Sequence, residues 1–282
     1  MLKRVLCIFA FSCCVLYLLP TAKAANRVAL VIGNGDYAES PLKNPVNDAT
    51  AMAEVLRDLG FEVLFFTDAD QRTMARAVTT FGKKIEEAQT ALFYYAGHGM
   101  QVDGRNFLVP IDAQVEMEED VEFESIDVDR VLNKMEHTGP ERVNIIILDA
   151  CRDNPFRSFR SSNRGLAVMN APRGSFLAYA TAPGSVAADG AGEHGVYTKY
   201  VLEHLTTPDL SIQEVFMRVR QGVLDETGGK QVPWESSSLT ANFYFHDDTS
   251  QGDIMGETDG QLASLDSNDL QNMAQKRLPK MV

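Results

Sequence analysis

Five short apolar runs separated by stretches of helical periodicity limit this chain more than any other feature. Positions 28–32, 61–67, 91–96, 143–148 and 176–180 read as strands. Between and after them, 48–59, 71–88, 125–137, 197–205 and 212–226 read as helices, as in Met52, Val55, Leu56 and Leu59 on one face before the stop at Gly60. The runs ALFYYA at 91–96 and VNIIIL at 143–148 carry apolar residues at nearly every position, so both faces of these strands are covered. Strands joined through helices make right-handed crossovers, which gives a mainly parallel sheet between two helical layers, an α/β/α sandwich. A hairpin over 100–111, turning at Asp103-Gly104, and a last short strand at 243–245 complete the expected fold. No internal repeat appears, and 25–246 reads as one domain.

The ends are of another character. Lys3 and Arg4 precede an apolar stretch over 5–19, and Thr21-Ala22-Lys23-Ala24 ends in the A-x-A pattern of a cleaved signal. Residues 1–24 are expected to be a signal peptide, and the protein to be exported, periplasmic or secreted. The stretch falls short of the roughly 20 residues that span a bilayer, so no stable membrane span is expected after cleavage. Residues 247–282 are rich in Asp, Ser, Gly, Gln and Asn and read as an acidic, disordered tail. Removing Lys3, Arg4 and Lys23 with the signal leaves 23 basic against 39 acidic residues, a formal charge of −16. Such a surface repels nucleic acid and favours cationic partners.

Of the 4 cysteines, Cys7, Cys13 and Cys14 leave with the signal. The lone thiol of the exported chain is Cys151, in LDACRDNP at 148–155, just past a buried strand. A second buried strand ends in Gly97-His98-Gly99, where the glycines present the histidine at the strand end. In parallel sheets ligands bind at the carboxyl ends of strands, so neighbouring strands here would bring imidazole and thiol together. A thiol with a pKa of about 8.5 needs a nearby base to act as a nucleophile, and His98 can also protonate a leaving amine. The backbone N–H groups of Cys151 and Gly99 are candidate oxyanion donors, and a side chain at 99 would obstruct a substrate carbonyl.

Three acids accompany the pair. Asp149 is two positions before Cys151 on an extended segment and projects to the same side, into a pocket for a cation or onto the following turn as a cap. Asp48 begins a helix that faces the same sheet edge, where the helix dipole also favours an acid. Asp189, in GSVAADG, is a third pocket acid or simply a loop acid.

At these residues the chain resembles the caspase-like cysteine peptidases, being similar to bacterial caspase homologues, paracaspases and metacaspases. RVALVIGNGDY, NPVNDA, LFYYAGHG, FLVPID and IIILDACRDNP follow one another in the family's order. The resemblance implies His98 and Cys151 as a catalytic dyad. It also implies Asp48 and Asp149 as acids of the pocket for the residue before the cleaved bond, with arginine or lysine as that residue. The third acid of paracaspases falls nearest Val186 here, three positions from Asp189. QVPWESSS at 231–238 is similar to a substrate-binding segment, with Trp234 walling a neighbouring subsite. RDNPFRSFRSSNRG, 152–165, occupies the position of a loop cut during activation. Self-cleavage after Arg157, Arg160 or Arg164 would fit the enzyme's own pocket; a surface loop made basic for solubility is the other reading.

Expected partners are therefore peptide or protein substrates with Arg or Lys before the scissile bond, with no cofactor and no metal. His137, His194, His204 and His246 fall at no ligand spacing, and the acidic run EMEEDVEFE at 116–124 reads as a solvated face rather than a calcium site. Two rivals stand beside the peptidase. One is a caspase-like binding or scaffold protein that does not cut. The other is a dinucleotide-binding module, because GNGDYA at 33–38 satisfies G-x-G-x-x-A; Pro41 and Pro45 delay the helix that such a module needs, and no acid closes the second strand at the usual spacing of about 20 residues.

Overall fold

Strands form where the apolar runs are continuous, and they assemble into one central sheet in the structure, a computed structural model that describes residues 27–136, 142–150, 156, 165–183, 185, 187, 190 and 192–246. Residues 1–26 and 247–282, which include the expected signal peptide and acidic tail, and Cys151, Asp189, His137, Val186 and the arginines at 157, 160 and 164 lie outside the described residues. In chain order the elements are β1 Arg27–Gly33, α1 Pro45–Asp58, β2 Glu62–Thr67, α2 Gln71–Lys84, β3 Thr90–Ala96, β4 Gly99–Val102, β5 Arg105–Leu108 and α3 Val121–Glu124. There follow β6 Ile126–Asp127, α4 Val128–Glu136, β7 Val143–Asp149, β8 Ser175–Tyr179, α5 Val196–Leu205, α6 Ile212–Thr227 and β9 Trp234–Ser237.

The main sheet has the order β2-β1-β3-β7-β8-β9, parallel except for β9, and a second sheet β4-β5-β6 is antiparallel. Because β1 leads outward to β2 and β2 leads back past β1 to β3, right-handed crossovers put α1 and α2 on opposite faces. α1, α5 and α6 pack in succession on one face, and α2 packs with α4 on the other. Every residue of β3 is buried, as expected of the central strand of an α/β/α sandwich. Among the described residues no helix is long and apolar enough to cross a membrane.

Four expectations need correction. The final strand is not 243–245: Tyr244 makes only an isolated bridge with Ser211, while Phe243 and Phe245 are core residues packed edge to face at 5.0 Å. The last strand is instead the polar WESS of β9, paired antiparallel with β8. The helix expected from 125 begins only at Val128, because Ile126 and Asp127 pair with Leu108 and Phe107. The first helix, expected from 48, begins at Pro45, which occupies the start of the helix where a missing N–H costs nothing. α2 ends at Lys84, with a tight turn over Ile85–Glu87 completing the stretch read as helix to 88.

Candidate active site

The β1–α1 connection and the β3–β4 connection meet at the carboxyl end of the sheet. Asn34, fully buried, accepts from Ala69 N (2.9 Å) and donates to the carbonyls of Ala69 and Val109 (both 3.3 Å). Asp68 accepts from the N–H groups of Gly35 (2.8 Å) and Asp36 (3.0 Å), so the start of the β1–α1 loop is fixed. Gly33 stands where a Cβ would lie 2.3 Å from the Pro45 carbonyl oxygen. The first glycine of the G-x-G-x-x-A pattern thus admits protein backbone, and the helix starts well beyond the turn rather than at it.

That loop holds His98. The His98 imidazole packs against Tyr37, with ring centroids 4.5 Å apart and planes tilted by 56°, and its Nε2 lies 2.7 Å from the Ser40 carbonyl oxygen. A carbonyl only accepts, so Nε2 carries the proton and donates, which leaves Nδ1 as the basic nitrogen of the neutral ring. The backbone is held as firmly: Tyr37 Oη accepts from His98 N at 3.0 Å, and Val109 N (3.0 Å) and Tyr95 Oη (2.9 Å) donate to His98 O. Burial pushes the Tyr37 phenol far above its ordinary range, so it stays a neutral donor and acceptor.

Two glycines bring this segment against the end of β7. Gly97, at φ 153°, donates its N–H to the Asp149 carbonyl at 3.2 Å. A Cβ on Gly99 would fall 2.6 Å from the Ala150 carbonyl oxygen, so close backbone approach excludes a side chain there; the neighbour it would strike is the residue before Cys151. Cys151 itself lies outside the described residues.

The acids Asp48 and Asp149, each 1% exposed, converge on the start of α5. Asp48 Oδ1 accepts from His194 Nδ1 (2.9 Å) and Gly195 N (3.1 Å), and Asp149 Oδ2 from Thr198 Oγ1 (2.9 Å). Thr198 Oγ1 also lies 2.7 Å from Tyr94 Oη. The Tyr94 phenol is held well above its usual pKa, first by burial and then by the charges of Asp48 and Asp149, so both carboxylates act on one neighbourhood. The start of α5, where backbone N–H groups are unpaired, is a favourable place for negative charge. Lys43 and Asn47 donate to the carbonyls of Gly192 (3.1 Å) and Glu193 (3.3 Å), clasping the segment before α5 to α1.

Trp234, 45% exposed, stands apart at the β9 edge, where it lines a cavity of ≈ 280 Å³ with Arg220, Val232, Pro233 and Glu235. Asp189 lies outside the described residues. The acidic run 116–124 is part of a turn and the short α3, with Glu122 paired to Arg105 at 3.0 Å.

A family model described as the caspase domain matches residues 26–244. The chain belongs to the caspase-like peptidase family. This caspase domain is 30% identical over 225 residues to the human mucosa-associated lymphoid tissue lymphoma translocation protein 1, covering 77% of this chain and 26% of that protein. It is 30% identical over 188 residues to the mouse homolog, covering 64% and 22%. It therefore spans about a quarter of the length of these curated relatives. The caspase-like α/β/α sandwich expected from the sequence agrees with the family and with the six-stranded sheet.

Sequence reading missed four groups that shape this site in the caspase domain: the Ser40 carbonyl, Tyr37, His194 and Thr198. A backbone carbonyl leaves no mark in a sequence. Tyr37 sits inside the glycine pattern that drew the dinucleotide reading, and His194 and Thr198 reach the acids across 146 and 49 positions of chain.

Proposed function

We propose that this caspase domain is a cysteine endopeptidase with a Cys151–His98 dyad that cleaves after arginine or lysine. The carrying observation is the β3–β7 register. Every pair from Thr90↔Val143 to Ala96↔Asp149 is offset by 53 positions, the offset that separates His98 from Cys151. The approach of Gly97 and Gly99 to Asp149 and Ala150 supports the same pairing.

In this reading Nδ1 of His98 takes the thiol proton, and the Cys151 sulfur attacks the scissile carbonyl. The oxyanion is held by the N–H groups of Gly99 and Cys151, each worth about 3 kcal/mol. The intermediate collapses as the C–N bond breaks, and His98 delivers its proton to the departing amine. Water, deprotonated by His98, then hydrolyses the thioester. Ser40 keeps the ring in the tautomer that this sequence of transfers requires.

Asp48 and Asp149 would receive the substrate guanidinium, which is supported by their shared burial and common action on Tyr94. Asp189 and Trp234 are proposed as further substrate contacts, the indole beside a neighbouring subsite. Residues 1–24 are proposed to direct export, and Arg157, Arg160 and Arg164 to be sites of self-cleavage.

The test is turnover of arginine-ended and aspartate-ended fluorogenic peptides by the wild type and by Cys151→Ala. Turnover at arginine, absent in Cys151→Ala, supports the reading. Turnover at aspartate alone refutes the acidic pocket, and no turnover at all favours a caspase-like protein that binds without cutting.

A further inference from the structure

Tyr94 and Tyr95 are consecutive in β3 and point to opposite faces of the sheet. Tyr94 leads to Thr198 and the acids at α5, whereas Tyr95 Oη meets Tyr37 Oη at 3.1 Å and the Val109 carbonyl at 2.9 Å. His98 packs on the Tyr95 side, against Tyr37 and Ser40. On the Tyr95 side a cavity of ≈ 340 Å³ opens, within the usual size of ligand pockets.

Tyr37 and Ser40, the residues that touch the imidazole, are also walls of this cavity. Its floor includes Val109, Ile111 and Val115, part of a second apolar cluster separate from the main core. The exposed Glu39 and Glu116 stand on its lining. An apolar side chain entering here would extend the small cluster, and a cation beside it would meet two carboxylates.

We propose that this cavity binds the substrate segment that follows the cleaved bond, taking an apolar side chain with a lysine or arginine next to it. The inference rests on the endopeptidase reading above. A leaving amine must come within hydrogen-bond reach of His98 to be protonated, so the residues attached to it pass over the loop that holds the ring. One residue of extended chain covers about 3.3–3.6 Å, so the first two residues after the bond reach the wall formed by Tyr37 and Ser40. The acidic pair lies on the other side of β3 and is suited to the residue before the bond. Recognition would thus flank the imidazole, with basic character selected on both sides.

Internally quenched peptides identical through the arginine, and continuing as Ser-Leu-Lys, Ser-Gly-Gly or Ser-Asp-Asp, test this directly. An arginine coumarin amide, which ends at the cleaved bond, is assayed beside them. The wild type is expected to favour Ser-Leu-Lys over Ser-Gly-Gly by about tenfold in kcat/KM, and over Ser-Asp-Asp by more. Ala113→Trp, which fills the cavity, removes the Leu-Lys advantage over Gly-Gly. Glu116→Lys narrows or reverses the preference for Leu-Lys over Asp-Asp. Equal turnover of the three peptides by the wild type, or an unchanged preference in both variants, overturns the proposal while cleavage of the coumarin amide leaves the endopeptidase reading standing. If the amide is not cleaved either, both fall together.

Discussion

The carbonyl oxygen of Ala150 stands 2.6 Å from the point that a Cβ on Gly99 would occupy. Ala150 Cβ, at 3.0 Å, blocks the same space, so the chain after His98 and the chain before Cys151 are in contact through backbone. Gly99→Ala must therefore push the two apart. It is expected to cost about 1–3 kcal/mol in urea unfolding, as overpacking does, and to reduce arginine-peptide turnover about a hundredfold through a displacement near 1 Å.

Tyr37 gives a second prediction. Its hydroxyl accepts from the buried His98 N–H and lies 3.1 Å from the Val109 carbonyl, to which it donates. Tyr37→Phe keeps the ring against the imidazole but leaves that N–H without its acceptor, at a cost of about 1–3 kcal/mol. Because the change loosens the backbone of the proposed base rather than a substrate contact, kcat is expected to fall with KM little altered, measured on the arginine peptide.

The buried tyrosines also set an alkaline limit. Burial raises the phenol pKa of Tyr37, and does so strongly for Tyr94 and Tyr95, above the ordinary value of 10.0. Above that value the unfolded chain loses phenolic protons while the folded chain retains them, so unfolding stability falls as pH rises. Stability measured by urea midpoint is expected to be insensitive to these groups below pH 10 and to decline above it. Tyr95→Phe should lessen that decline, with tyrosinate absorbance appearing only as the protein unfolds.

The proposed charge recognition by Asp48 and Asp149 is tested with an isostere. Citrulline has the shape of arginine without its charge. The wild type is expected to prefer arginine by about a hundredfold, the worth of a buried charge-assisted pair of about 3 kcal/mol. Asp149→Asn and Asp48→Asn should each shrink that ratio, and Thr198→Val, which removes the hydroxyl on Asp149, should shrink it less.

Arg142 supplies a control distant from the site. It is 6% exposed, donates to Asn144 Oδ1 at 3.0 Å and to the carbonyls of Ile85 and Met135, and burial lowers its pKa. Arg142→Met leaves those carbonyls at the ends of α2 and α4 unanswered. A loss of about 3 kcal/mol in unfolding stability is expected, with the ratio of turnover among peptides unchanged.

What could be read in the sequence follows from where side chains carry the information. β3 and β7 were legible because both faces of each are covered, so ALFYYA and VNIIIL are continuous apolar runs. β9 was hidden because it is an edge strand held by backbone bonds to β8, and WESS has no apolar pattern to betray it. FYF at 243–245 is apolar because it fills the core, and this imitated a strand. Within the site, His98 and the two acids were visible as strand-end and helix-start residues. The Ser40 carbonyl and Tyr37 depend on the path of the β1–α1 loop, which Asn34 and Asp68 fix through bonds to distant backbone.

His98 lies at the seam where the chain leaves the large sheet and enters the three-stranded one, and its carbonyl is shared by Tyr95 of one and by Val109, just past β5, of the other. Local opening of the small sheet therefore releases the His98 backbone from Val109 and loosens the mount of the imidazole without disturbing the parallel strands. Amide hydrogen exchange is expected to be faster over 99–108 than over 91–96. Heat inactivation would then precede cooperative melting, so competence and folding are lost at separate temperatures.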